Sequence, residues 1–160
     1  MLLASEEWAA SRRIPVQAYL SFTQTAAVDF AGMAGPREGM LMAPAYAVPR
    51  MLERAGIGLQ DFDFYEIHEA FAAQVLCTLK AWESNEYCRT RLGRSGALGA
   101  IDRSKMNLKG SSVAIGHPFA ATGARIVATL AKQLQARGSG RGLISICAAG
   151  GMGVTAILER

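Results

Sequence analysis

The chain has 160 residues, 51% of them hydrophobic and 19% charged, with a formal net charge of +4. That is enough apolar mass for one domain with a real core, and too sparse and scattered a charge for nucleic-acid binding. No run is long and apolar enough to span a bilayer, and the start turns acidic at Glu6 and Glu7 with no basic region before it, unlike a signal peptide.

In chain order, Ser5 reads as the cap of a short helix that runs to about Arg13, with Glu6 and Glu7 in its first turn. Residues 16–28 read as a strand, because Val16, Ala18, Leu20 and Phe22 alternate with Gln17, Tyr19 and Ser21. The Gly-, Met- and Pro-rich stretch 30–44 must be loop. Residues 46–55 have helical spacing, with Pro49 near the first turn and Gly56 as the stop. Asp61 and Asp63 flank the start of a buried strand at 62–67. A helix is then expected from about Glu69 to Trp82, with Phe71, Val75, Leu79 and Trp82 along one stripe and Cys77 in its core. Residues 83–106 are polar and glycine-punctuated, and read as a long connection or insert with a short helix near 87–92. Cys88 lies in it, and its arginines read as a solvated surface. Residues 111–115 read as a strand feeding a turn at Gly116, followed by a helix whose Ile126, Val127, Leu130 and Leu134 share a face and which stops at Gly138. Two apolar strands, 142–147 and 154–158, form an antiparallel hairpin. This alternation predicts an α/β layered domain, a mixed β-sheet with helices on both faces.

Three reactive side chains fall at the ends of the predicted strands: His68, His117 and Cys147. Open α/β sheets place their ligands there. Pro118 holds His117 in extended geometry and suits a first helical turn. Any one of these residues alone does not distinguish a site from a well-packed turn. Three cysteines, Cys77, Cys88 and Cys147, have neither paired nor metal-binding spacing, so no metal site is expected and a reducing, cytoplasmic compartment is indicated.

The ordered set His68-Glu69-Ala70-Phe71-Ala72, Gly116-His117-Pro118 through Thr122-Gly123-Ala124-Arg125, and Cys147-Ala148-Ala149-Gly150-Gly151-Met152-Gly153 resembles the C-terminal domain of the thiolases. His68 stands where most thiolases have Asn, which looks most like the trifunctional-type 3-ketoacyl-CoA thiolase β-subunits of fatty-acid β-oxidation. That resemblance implies a transferase that cleaves 3-ketoacyl-CoA with CoA, or runs in reverse as a Claisen condensation. Coenzyme A would be a substrate, and no cofactor is implied.

By the same resemblance, His117 would activate the nucleophile, Cys147 would be the acid/base thiol, and His68 would serve the first oxyanion hole. The backbone N–H of Ala149 would serve the second, a role compatible with Ala if its φ is negative. Met40, Phe71 and Phe119 would contact the pantetheine arm or acyl chain. Ala120 replaces a glycine common in this loop. The resemblance further implies a first strand cut short and an absent N-terminal domain carrying the nucleophilic cysteine, so that the chain holds half an active site and is inactive alone. Its implied partners are acyl-CoA, that N-terminal domain, a second copy in the full-length protein and a hydratase/dehydrogenase α-subunit. The alternative is a non-catalytic acyl-CoA-binding or dimerisation module derived from a thiolase.

Overall fold

A computed structural model describes residues 1–160. Its elements are α1 (Glu6–Ser11), β1 (Tyr19–Ala27), α2 (Ala43–Ala55), β2 (Phe64–Ile67), α3 (Ala72–Glu83), α4 (Asn85–Thr90), α5 (Ser112–Ile115), α6 (Thr122–Arg137), β3 (Arg141–Ala148) and β4 (Met152–Glu159). The four strands form one sheet in the order β1-β4-β3-β2. β2 and β3 run parallel and the other two pairs antiparallel, so the sheet is mixed.

Strand alternation divides the core between two faces. Leu143 and its cross-strand partner Ile157, with Tyr65 and Ile67 of β2, pack against Val48, Met51 and Leu52 of α2 and Val75, Leu79 and Trp82 of α3. On the opposite face Ile144, Ala156 and Leu158 receive Ile126, Leu130 and Leu134 of α6. Gly142 lies on this second face, and a Cβ there would stand 2.4 Å from Leu130 Cδ1. The glycine lets α6 sit directly on the central strand. The layered α/β/α expectation therefore holds.

Several local expectations need correction. Residues 111–115 are not a strand; Ser112–Ile115 is a single helical turn with Val113 and Ile115 exposed. The slot such a strand would have filled, along the free edge of β2, is already taken by Asn107. Its Oδ1 accepts from Ile67 N at 2.8 Å, its Nδ2 donates to Ile67 O at 3.0 Å, and its backbone N donates to Tyr65 O at 2.8 Å. Pro118 is not in the first turn of α6, which begins at Thr122. Pro49 lies well inside α2, because that helix starts at Ala43. Its missing N–H frees the Ala45 carbonyl, and Trp82 Nε1 donates to it at 3.4 Å. The two spare cysteines exchange places. Cys77 is exposed on α3, whereas Cys88 is buried with its Sγ toward the carbonyls of Ala81 and Trp82.

Candidate active site

Because β2 and β3 are parallel, their carboxyl ends meet at one edge of the sheet. His68 extends β2 by one residue, its N–H donating to Ser145 O at 2.9 Å, and Cys147 is the penultimate residue of β3. His117 reaches the same edge from the loop between α5 and α6. The rings of His68 and His117 lie 4.4 Å apart between centroids, and Phe119 stands edge-on to His117 at 5.5 Å. So the two histidines meet, although only His68 and Cys147 leave strands.

Their surroundings differ. His68 is buried, and its Nδ1 lies 2.8 Å from Ser112 Oγ. Burial first, then the neighbouring His117 and Arg125, push its pKa down to about 4, with Glu69 acting weakly in the other direction. A neutral ring at neutral pH follows. His117 is exposed, with Nδ1 held by the hydroxyl of buried Thr122, which leaves Nε2 free. Cys147 is buried, and desolvation pushes its thiol up, opposed in part by the backbone N–H groups of Cys147 and Ala70. Its cross-strand partner is Gly153, over which the start of α2 crosses so closely that a Cβ would meet Pro44 at 2.9 Å.

Ala149 follows in the turn before β4. Its φ is not positive, and its N–H has no acceptor within the chain. The two residues after it, Gly150 and Gly151, take φ of 83° and 76°. At Gly151 a Cβ would come within 2.6 Å of Val28 O, so the turn is seated on the segment that follows β1.

Of the three expected substrate contacts, Phe119 adjoins the histidine pair and is 90% exposed. Phe71 caps α3 in extended geometry and is also exposed, while Met40 lies exposed in the loop before α2. No ring contact or hydrogen bond joins Phe71 or Met40 to the histidines. Clefts of about 290 and 380 Å³ lie instead along α2 and residues 91–98, and neither includes His68, His117 or Cys147. Of the pair, His68 is buried and His117 is exposed, beside the solvent-exposed ring of Phe119.

A second layer lies beneath it that motif reading missed. Glu69 accepts from Asn107 Nδ2 at 2.8 Å and from Val113 N at 3.1 Å, tying the turn of His68 to α5. Glu66 is buried one residue pair below His68, and Gln133 Nε2 donates to its Oε1 at 2.7 Å. Burial pushes the Glu66 carboxyl up. Glu66 Oε2, Gln133 Oε1, and Nε and Nη1 of Arg125 have no partner. A glutamate in the middle of an apolar strand was the available signal in the sequence.

Residues 22–160 match the family profile described as "Thiolase, C-terminal domain". The chain belongs to the thiolases. It is 45% identical over 159 residues to the 3-ketoacyl-CoA thiolases of Pectobacterium atrosepticum and Yersinia pestis, covering 99% of this chain and 35% of each of theirs. Among solved structures, the acetyl-CoA acetyltransferase of Bacillus anthracis superposes with a TM-score of 0.75 at 35% identity, over 97% of this chain and 33% of that one. The peroxisomal 3-ketoacyl-CoA thiolase of Saccharomyces cerevisiae gives 0.73 at 36% identity, over 96% and 36%. That structure is described as five layers built from two core domains of identical topology. The chain thus spans about a third of the length of the thiolases it matches, and corresponds to their C-terminal domain. No helix in it is long and apolar enough to cross a membrane.

Proposed function

We propose that this chain supplies the acid/base and oxyanion half of a 3-ketoacyl-CoA thiolase active site and is inactive until a nucleophile-bearing half is added. The observation that carries the reading is the contact between buried, neutral His68 and exposed His117 at the same sheet edge as Cys147. In thiolysis a cysteine thiolate adds to the 3-keto carbon, the C2–C3 bond breaks, and the departing acetyl-CoA carbanion takes a proton. CoA then accepts the acyl group. His117, with Nε2 free, would take the nucleophile's proton. Cys147 would hold and return the proton for the acetyl unit, and burial of its thiol suits the protonated, donating form. His68 and the free N–H of Ala149 would donate to the two developing oxyanions.

Neither remaining cysteine suits the nucleophilic role. Cys77 faces solvent on α3, and Cys88 is buried with its thiol turned to the carbonyl oxygens of Ala81 and Trp82. The openness beside Phe119 supports a site completed by another domain. Fatty-acid β-oxidation, an N-terminal thiolase domain, a second copy and a hydratase/dehydrogenase α-subunit belong to this proposal as its context.

The test is acetoacetyl-CoA thiolysis by the purified chain, alone and mixed with the N-terminal portion of a 3-ketoacyl-CoA thiolase. Turnover only in the mixture, lost on His117→Ala or Cys147→Ala, is the expected result. Turnover by the chain alone that is lost on Cys147→Ala would overturn it.

A further inference from the structure

His68 is buried with one ring nitrogen engaged, so its usefulness as a hydrogen-bond donor depends on where its single proton sits. The residues behind it decide that. Arg125 Nη2 points at two adjacent serine hydroxyls, Ser111 Oγ at 3.5 Å and Ser112 Oγ at 3.4 Å. Ser111 passes its own hydrogen on to Ile67 O at 3.1 Å. Ser112 is equally buried from solvent, and its one other polar partner is His68 Nδ1 at 2.8 Å. A guanidinium can only donate, so it occupies a lone pair of each hydroxyl and leaves the hydroxyl hydrogen to be given away. If Nδ1 of His68 carried the ring proton, the Ser112 hydrogen would be buried without an acceptor, which is penalised.

We infer that Arg125 and Ser112 are positioning residues that fix His68 as the Nε2–H tautomer, so that its free nitrogen is a donor. The inference rests on the proposed function for the meaning of that donor, an oxyanion ligand, but not for the tautomer itself. The same guanidinium places positive charge near the ring, which keeps the imidazole uncharged and its donor available across the neutral range. With Arg125 Nε and Nη1 free of side-chain partners, that charge is not cancelled by a direct ion pair. The chain Arg125, Ser112, His68 is then a single polarised relay of hydrogen bonds that starts at the guanidinium and ends on the Nε2–H of the ring.

Nitrogen-15 NMR of the histidine rings reads this directly in the intact chain, which contains only two histidines. His117→Gln assigns the His68 signals. The expected wild-type spectrum shows a pyridine-like Nδ1 and a pyrrole-like Nε2 for His68. Ser112→Ala should reduce the ratio of the two tautomers roughly fivefold, in line with the loss of one buried hydrogen bond, while Ser112→Thr, which keeps the hydroxyl, restores it. A protonated Nδ1 in the wild type, or an unchanged ratio in a folded Ser112→Ala variant, would overturn the inference. If Ser112→Ala does not fold, the wild-type tautomer together with Ser112→Thr and Arg125→Gln decides, the last expected to weaken the preference. A tautomer as inferred in a mixture that lacks thiolysis would sink the proposed function and leave this relay standing; active enzyme with Nδ1 protonated would do the reverse.

Discussion

Gly142→Ala adds one methyl group at the tightest point of the fold, and the consequence can be worked out. The new Cβ would lie 2.4, 2.6 and 2.8 Å from Cδ1, Cδ2 and Cγ of Leu130. Spinning the end of the leucine does not relieve this, because Cγ itself is too close. Leu130 is fully buried between β3, β4 and the rest of α6, so no empty rotamer is at hand. Either α6 lifts from the sheet or Leu130 takes a strained rotamer, and overpacking of this kind costs about 1–3 kcal/mol. For a domain of this size, about 2 kcal/mol lowers Tm by roughly 4–8 °C. Thermal and urea unfolding of Gly142→Ala, Leu130→Ala and the double variant form a cycle. Leu130→Ala alone should destabilise by about 2–5 kcal/mol. In its background the added methyl finds space, so the double variant should be less destabilised than the sum by at least about 1 kcal/mol. Additive losses, or an unchanged Tm in Gly142→Ala, would show that the helix does not press on this strand as described.

Ala120 holds a positive φ of 66°, a region that disfavours any side chain with a Cβ, so Ala120→Gly should stabilise the chain by about 0.5–1 kcal/mol in urea unfolding. A loss of stability there would contradict the backbone geometry of the His117 loop. His68, ordinarily near 6.5 but pushed down to about 4, binds a proton in the unfolded chain before it does in the folded one. Its stabilising contribution is therefore full above about pH 6.5 and lost as pH falls toward 4, at about 1.4 kcal/mol per pH unit. The buried Glu66 carboxyl, pushed up, acts in the opposite sense, so the measurement is the difference between wild type and His68→Asn at pH 7 and pH 5. Parallel pH profiles would refute the burial of a neutral ring. Brief alkylation of the native chain at neutral pH should modify Cys77 alone and vanish with Cys77→Ser, since Cys88 and Cys147 are buried. A second adduct of comparable rate, located by peptide mass, would contradict that.

The order of elements and the two faces of the sheet were legible because periodicity reports burial directly: Ile126, Leu130 and Leu134 could share only one side of a helix. The three reactive side chains were legible as motifs, yet their arrangement was not. Residues 111–115 read as a strand feeding the turn at Gly116, but pairing needs an unoccupied edge, and whether Asn107 fills that edge is a tertiary fact. Cys77 sits in an apolar run whose phase turns it to solvent, while Cys88, in a polar stretch, folds back beneath Trp82. Composition cannot distinguish the two. Arg125 was visible within a motif, but its aim at two serines depends on where α6 begins, four residues after Pro118.

The side chain of Asn107 has one more consequence. A sheet with a bare border can lengthen by recruiting a segment from another molecule, and a short or covered border strand is one way to prevent it. Here the outward amide and carbonyl of Ile67 are both satisfied by one carboxamide, an imitation of a peptide group that has no next residue to offer. Growth of the sheet past β2 therefore stops at a single amino acid. Any strand-by-strand association is left to the far side, where β1 offers Tyr19 and Leu20 to the solvent. Asn107→Ala would leave the Ile67 amide as the one bare donor on this border, since Ser111 Oγ still donates to Ile67 O and the backbone of residue 107 still donates to Tyr65 O.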